Sequence, residues 1–171
     1  MKVSSVFLTL IFALSIGVQG YAQTADFWQP LGFLEGTWQA KTGEGSAAKV
    51  RGTYTFAKEL RGHVLARHGV VAGCTGPESF DCAHGDLLYV FEEMPGQPLK
   101  AIYFDNEGHV IHYAVSTPDA TTAVFLSEPG PGPRFRLTYH LDHGVMLGKF
   151  QTQMPGQDDW KSYLEWSGGK Q

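Results

Sequence analysis

Seven histidines are the residues of this 171-residue chain that could ligate a metal ion or transfer a proton near neutral pH. In one close pair, His140 and His143, the second residue lies in a predicted turn. Two others, His63 with His68 and His109 with His112, lie in segments that alternate as β-strands do. Residues three or five positions apart on a strand point to opposite faces, so neither pair can converge on one ion. The sequence therefore predicts no metal site, because three ligands would have to meet from different strands.

Single histidines are better candidates for chemistry than the pairs. His112 shares a strand face with Val110 and Ala114, and His68 has similar apolar neighbours. An interior histidine beside a Tyr or Asp could act as the base of a barrel isomerase or hydrolase. The pattern favours a histidine that is hydrogen-bonded to backbone or Tyr and does no chemistry. Because the sequence also carries no motif for a nucleophilic Ser or Cys, it favours a non-enzymatic protein and leaves an enzyme as the alternative.

The aromatic residues, 13% of the chain, indicate more about function than any sequence motif does. Most fall in strand-like segments, so the half that faces inward would form an apolar wall with phenolic hydroxyls among it. We therefore predict that the protein binds a small apolar or amphipathic molecule. The residues predicted to make its polar contacts are Tyr54, Tyr103, His112, Arg136 and Tyr139. An arginine such as Arg67 or Arg136 could hold a ligand carboxylate, although the pattern favours solvent for both guanidinium groups.

These side chains would be positioned by ten short segments with a period of two. The alternation is clearest over Arg51 to Ala57 and Arg134 to Asp142. Gly- and Pro-containing turns between the segments favour antiparallel hairpins. The fold class predicted is all-β: a single antiparallel up-and-down barrel of about ten strands, with a short N-terminal helical turn, capped by Asp26, closing one end. The strand-like segments are 37–41, 51–57, 63–72, 87–92, 99–105, 109–116, 121–127, 134–142, 145–153 and 160–166. Because a barrel of this width is not filled by its own side chains, it can enclose a ligand.

Two cysteines, Cys74 and Cys82, lie in the longest predicted connection, Gly73 to Gly85. In an oxidising compartment they would form a disulfide. The spacing is not that of a Cys-x-x-Cys redox motif. We predict a disulfide-closed loop at one mouth of the barrel that could act as a lid.

The first 22 residues have the pattern of a signal peptide: a positive charge at Lys2, an apolar run to Val18 and small residues near Ala22. The apolar run is too short for a membrane span, so no membrane insertion is predicted after cleavage. Residues 23–171 would then form one exported domain, periplasmic or extracellular, with a net charge of about −5 by the same counting. No basic cluster is present, which excludes nucleic acid as a partner. The sequence predicts no oligomeric state.

Three segments resemble the start of the lipocalin-like barrels of the calycin group: Phe33-Leu34-Glu35-Gly36-Thr37-Trp38, Arg51-Gly52-Thr53-Tyr54-Thr55-Phe56 and Gly62-His63-Val64-Leu65. That group includes uncharacterised bacterial DUF1579-type proteins and nitrobindin-like haem proteins. The resemblance implies that Trp38 closes the barrel floor. Nitrobindin-like proteins ligate haem through a histidine near the C-terminus, but no histidine follows His143. The expected cofactor is therefore none, with haem possible only if an earlier strand supplies the ligand.

Overall fold

The computed structural model describes residues 27–43 and 46–171. The predicted signal peptide, residues 1–22, and the predicted cap Asp26 lie outside the described residues. Within the described ranges no helix is long and apolar enough to cross a membrane. The strands are β1 (Gly36–Thr42), β2 (Lys49–Glu59), β3 (Val64–Thr75), β4 (Asp86–Phe91), β5 (Lys100–Asp105), β6 (Val110–Asp119), β7 (Thr122–Ser127), β8 (Arg134–Asp142), β9 (Val145–Gln153) and β10 (Lys161–Gly169).

The ten strands form one closed barrel in which each strand pairs with its neighbours in sequence and β10 returns to β1. All the pairings are antiparallel, as at β8 and β9, where Arg134 faces Gln153 and Asp142 faces Val145. The turn between these two strands has positive φ at His143 (46°) and Gly144 (82°), which matches the twist of a two-residue hairpin. The predicted all-β up-and-down barrel is confirmed.

A 3-10 helix, Gln29–Leu34, closes one end of the barrel. Leu31 and Leu34 are fully buried against the base of the core, which is why so short an apolar segment is ordered. The predicted helical turn is thus present, and the residue at its cap position is Trp28, which makes no side-chain capping hydrogen bond. The Trp28 indole instead donates to the carbonyl oxygen of Gly62 at 2.6 Å, tying the helix to the β2–β3 connection.

Trp38 lies in the core next to this helix. Its side chain is 2% exposed, and its indole nitrogen donates to the carbonyl oxygen of Leu34 at 2.7 Å. The ammonium group of Lys170 lies 5.4 Å from the centre of the Trp38 ring, a cation–π contact from the end of the chain. Trp38 therefore contacts both ends of the described domain.

The barrel closes where β10 meets β1, and this is its shortest ladder. Two residue pairs, Lys41 with Ser167 and Thr42 with Trp166, and an isolated bridge between Trp38 and Lys170 join the two strands. A side chain at Gly168 would overlap the carbonyl oxygen of Gln39, so only glycine permits this approach. The closure thus depends on a residue without a Cβ.

The opposite end of the barrel is open and carries the longest connection, residues 76–85 between β3 and β4. Cys74 and Cys82 form a disulfide that joins this loop to the end of β3. Phe80 and Cys82 of the loop line the entrance to the interior. The predicted disulfide is confirmed.

Candidate ligand cavity

A cavity of about 400 Å³ occupies the barrel between the open end and the aromatic core, a volume suited to one small organic molecule. Its walls are mostly apolar and include Val50, Ile111, Phe135, Leu137, Phe150 and Leu164. The predicted contacts Tyr54, Tyr103 and Tyr139 also line it. An interior incompletely filled by side chains follows from the width of a ten-stranded barrel.

His112 and Arg136, the other two predicted contacts, lie outside this lining. His112 is exposed on β6, whereas its neighbour Tyr113 is buried. The Arg136 guanidinium lies 4.4 Å from the centre of the Trp160 ring, and its Nε donates to the Gln151 side chain at 2.9 Å. The structure thus brings the three tyrosines together and does not join His112 or Arg136 to them.

Sequence reasoning assigned the wrong face to His68. Its apolar neighbours suggested an interior position, but Val70 on the same face is 65% exposed, and the His68 ring contacts Glu59 at 2.9 Å on the outside. The inward face of β3 is set by its partners, because Arg67 lies opposite Phe56 on β2 and Leu88 on β4, which are both buried. β-branched residues suit the outer wall of a sheet as well as its core.

Arg67, which the pattern favoured as solvated, lies in the cavity wall. Its guanidinium donates to the Asp86 carboxylate at 2.7 Å, and the two side chains are only 12% and 16% exposed. The guanidinium carbon also lies 5.3 Å from the centre of the Tyr54 ring. One carboxylate therefore neutralises the charge of Arg67 inside the barrel, as a buried ion requires.

Polar atoms without a partner within the protein concentrate at this cavity. Of the six such buried side-chain atoms found in the described part of the chain, five belong to residues lining it. They are Tyr54 Oη, Tyr113 Oη, Tyr139 Oη, Arg67 Nε and Trp166 Nε1. The Trp166 indole is close enough to the Tyr54 hydroxyl to act on it, but the pair does not have the geometry of a hydrogen bond. Buried polar groups almost always have a hydrogen-bond partner, because leaving one unpaired costs about 1–3 kcal/mol. A ligand or enclosed water is the natural partner for these atoms.

The position of Trp166 depends on a glycine of the neighbouring strand. A side chain at Gly148 on β9 would overlap the Trp166 ring, so the glycine makes room for the indole in the cavity wall. The Trp166 ring then packs edge-on against Tyr139, with the ring centres 5.8 Å apart. The contact between Trp166 and Tyr139 therefore depends on the absence of a side chain at Gly148 and on the position of β10.

Burial keeps the cavity tyrosines protonated. It raises the pKa of Tyr54 from its ordinary value of 10.0 to about 12, with the Trp166 indole and the Arg67 charge acting in the opposite direction. Burial is also the main cause of the raised pKa of Tyr103, Tyr113 and Tyr139, and the negative charge of Asp86 adds to it in each case. All four hydroxyl groups are neutral and able to donate at neutral pH.

We expect the barrel to lose stability steeply in alkali. A Tyr54 that titrates at about 12 when folded and at 10.0 when unfolded contributes stability that is complete below pH 10.0 and is lost as the pH rises towards about 12. Denaturant titrations across this range should show the loss. Tyr54→Phe should reduce the slope, whereas equal slopes for this variant and the parent would contradict the assignment.

The mouth of the cavity is organised around His84 of the 76–85 loop. Its Nε2 lies 3.0 Å from the Tyr103 hydroxyl, and its Nδ1 lies 3.0 Å from the Glu107 carboxylate. Asn106 ties the same loop to the β5–β6 turn through hydrogen bonds with Ala83 and Gly85. Together with the disulfide, these contacts hold the loop over the entrance.

Three side chains at this mouth could offer atoms to a metal ion. Ligand atoms of Asp81, His84 and Glu107 all lie within 4.8 Å of one another. Sequence reasoning missed this cluster because the three residues belong to a loop and a turn, where strand periodicity says nothing about direction. Their hydrogen bonds already account for the arrangement as a fastening of the loop.

Comparison with known proteins gave no match, either to a protein-family model or to a curated protein. The classification of the chain therefore depends on its architecture. The closed antiparallel barrel of ten strands, with a short N-terminal 3-10 helix at one end, is consistent with a lipocalin-like fold of the calycin kind.

Proposed function

We propose that the protein is an exported, non-enzymatic carrier that holds one small apolar or amphipathic molecule inside its barrel. The observation that carries the proposal is the cavity of about 400 Å³, in which apolar walls surround five polar atoms without a protein partner. If this region served only as hydrophobic core, side chains would fill it or line it with apolar groups alone, because unpaired polar atoms lower stability. Apolar walls with a few convergent polar groups are typical of ligand sites.

Export is supported by two features of the chain. Its first 22 residues have the pattern of a signal peptide, and the Cys74–Cys82 disulfide is of the kind that persists in oxidising compartments. We infer a periplasmic or extracellular location, with no nucleic-acid partner. Within the calycin group we favour the DUF1579-type proteins over the nitrobindin-like ones, on the resemblance of the first strands and the histidine positions.

A haem-binding function finds less support. His84 and His109 are the histidines that line the cavity, and both lie at its mouth. Both ring nitrogens of His84 already have partners, and His109 is bonded to Asp105 at 2.8 Å. A haem ligand would need to break one of these contacts.

An enzyme remains the second candidate because His84 contacts Tyr103, the pairing expected of a barrel isomerase or hydrolase. The pKa of Tyr103 is raised, mainly by burial and further by Asp86 and Asp105, so its hydroxyl is a poor acid or base at neutral pH. The His84 nitrogens are also used to fasten the loop. The contacts therefore support a carrier better than a catalyst.

The test is binding of a neutral fluorescent dye, N-phenylnaphthylamine, with native mass spectrometry of the purified protein to detect a retained ligand. Ile111→Trp would place an indole in the cavity and should weaken dye binding at least about tenfold, because misfit in an apolar pocket is costly. Val110→Trp is the matched control, since Val110 is the neighbouring residue on the same strand and is 55% exposed. Absence of dye binding and of any retained molecule, or equal effects of the two variants, would contradict the proposal.

A further inference from the structure

We propose that the cavity selects an uncharged molecule with a hydrogen-bond-accepting oxygen, such as a ketone, and discriminates against carboxylates and amines. This inference rests on the proposed carrier function and specifies its ligand class. It follows from three properties of the described cavity residues: the donors without partners, the ion pair in the wall and the charges around the entrance.

The first property is an excess of donors. Arg67 Nε can only donate, and it makes no hydrogen bond in the described part of the chain. Trp166 Nε1 can also only donate, and it lies near the Tyr54 hydroxyl, with which it does not complete a hydrogen bond. The hydroxyls of Tyr54 and Tyr139 are also without partners, and their rings lie 5.8 Å apart beside Trp166. A ligand that satisfies this group must offer oxygen lone pairs. An alkyl chain alone would leave the donors unpaired.

The second property is that the positive charge of Arg67 is already balanced. Asp86 accepts its hydrogen bond at 2.7 Å, and both side chains are largely buried. A ligand carboxylate would place a second negative charge beside Asp86, leaving one buried anion without a counter-ion. An ammonium group would instead lie beside the guanidinium, which carries the same charge, and opposite the N–H groups of Arg67 and Trp166, which offer it no acceptor. A neutral acceptor avoids both costs.

The third property is the charge around the entrance. The ionised side chains lining the cavity and its mouth are two cations, Lys41 and Arg67, and four carboxylates, Asp81, Asp86, Asp105 and Glu107. With the histidines counted as neutral, this lining is negative, so an anion is disfavoured on entry as well as when bound. The same field attracts an ammonium to the mouth, so the amine is disfavoured only at the bound position, beside Arg67. The loop that carries Asp81 is fixed by the disulfide, which keeps that charge at the mouth.

A series of four probes with one aromatic body tests the inference: naphthalene, methyl naphthyl ketone, naphthoate and naphthylmethylamine, measured by displacement of N-phenylnaphthylamine at neutral pH. We expect the ketone to bind roughly tenfold tighter than naphthalene, the gain expected from pairing buried donors. Naphthoate and the amine should bind more weakly than the ketone by a similar factor. Naphthoate binding as tightly as the ketone would overturn the inference and leave the carrier function standing, whereas displacement by no probe, with no dye bound, would overturn both.

Two variants locate the effect. Tyr139→Phe removes one donor and should weaken the ketone several-fold with little change for naphthalene, while Tyr89→Phe, outside the cavity lining, should change neither. Asp86→Asn removes the carboxylate that balances Arg67 and should narrow or reverse the preference for the ketone over naphthoate. An unchanged preference in a folded Asp86→Asn protein would overturn the assignment to the ion pair. If that variant does not fold, the Tyr139→Phe comparison and the four-probe series decide the question.

Discussion

Replacing Arg67 with methionine is expected to lower the free energy of unfolding by about 3 kcal/mol, because it leaves the buried Asp86 carboxylate without its counter-ion. The His84 Nε2 lies 3.9 Å from the Asp86 carboxylate, too far for a hydrogen bond that would replace the one from Arg67. Methionine keeps the length and most of the apolar volume of the arginine stem, so the loss reports on charge rather than packing. Urea denaturation at neutral pH measures it.

The control for this variant is the double replacement Arg67→Met with Asp86→Leu. Removing both members of a buried ion pair is often close to neutral, so the double variant should be more stable than Arg67→Met alone. A single variant as stable as the parent would contradict the described ion pair. A double variant that is no more stable than the single one would show that the loss comes from packing.

Replacing Trp38 with alanine is expected to have the largest effect on stability, a loss of about 4 kcal/mol, since a buried indole is exchanged for a cavity. The side chain is 2% exposed, and the change also removes the hydrogen bond to Leu34 that joins β1 to the N-terminal 3-10 helix. Thermal or urea unfolding provides the measurement. Because Trp38 does not line the ligand cavity, the protein that remains folded should still bind dye.

Lys170→Ala is the matched control for Trp38. It removes the cation above the same ring but exposes no core, so the expected loss is below about 1 kcal/mol. Similar losses for the two variants would mean that the ring is held mainly by the cation. A small loss in Trp38→Ala would contradict the burial of this side chain in the core.

The barrel could be predicted because apolar and polar residues alternate within its individual strands. Phe135, Leu137 and Tyr139 alternate with polar residues, and the predicted and observed bounds of β8 are the same. The turn residues between strands then leave little choice of topology. The strands near the closure were less clear. Lys170, which contacts the Trp38 ring, lies beyond the predicted end of the last strand at Trp166.

The candidate site was only partly predictable because strand periodicity gives two faces without saying which is inside. Tyr54 and Tyr139 were identified because their strands alternate cleanly. On β3 the outer face carries Val70 and the inner face carries Arg67, the reverse of the usual expectation. Only the pairing with Phe56 and Leu88 resolves that choice, and register cannot be read from one strand alone.

Because the ladder between β10 and β1 is short, ligand binding in the cavity would affect how firmly the barrel is closed. Trp166 stands on one side of this seam, and Tyr54 stands on β2, the strand next to β1 on the other side. A ligand that contacts both rings would link the two sides of this short ladder. Saturating the protein with ligand should therefore slow amide hydrogen exchange in the first and last strands more than elsewhere. Gly168 would then allow β10 to approach β1, and the bound ligand would complete the barrel wall at this point.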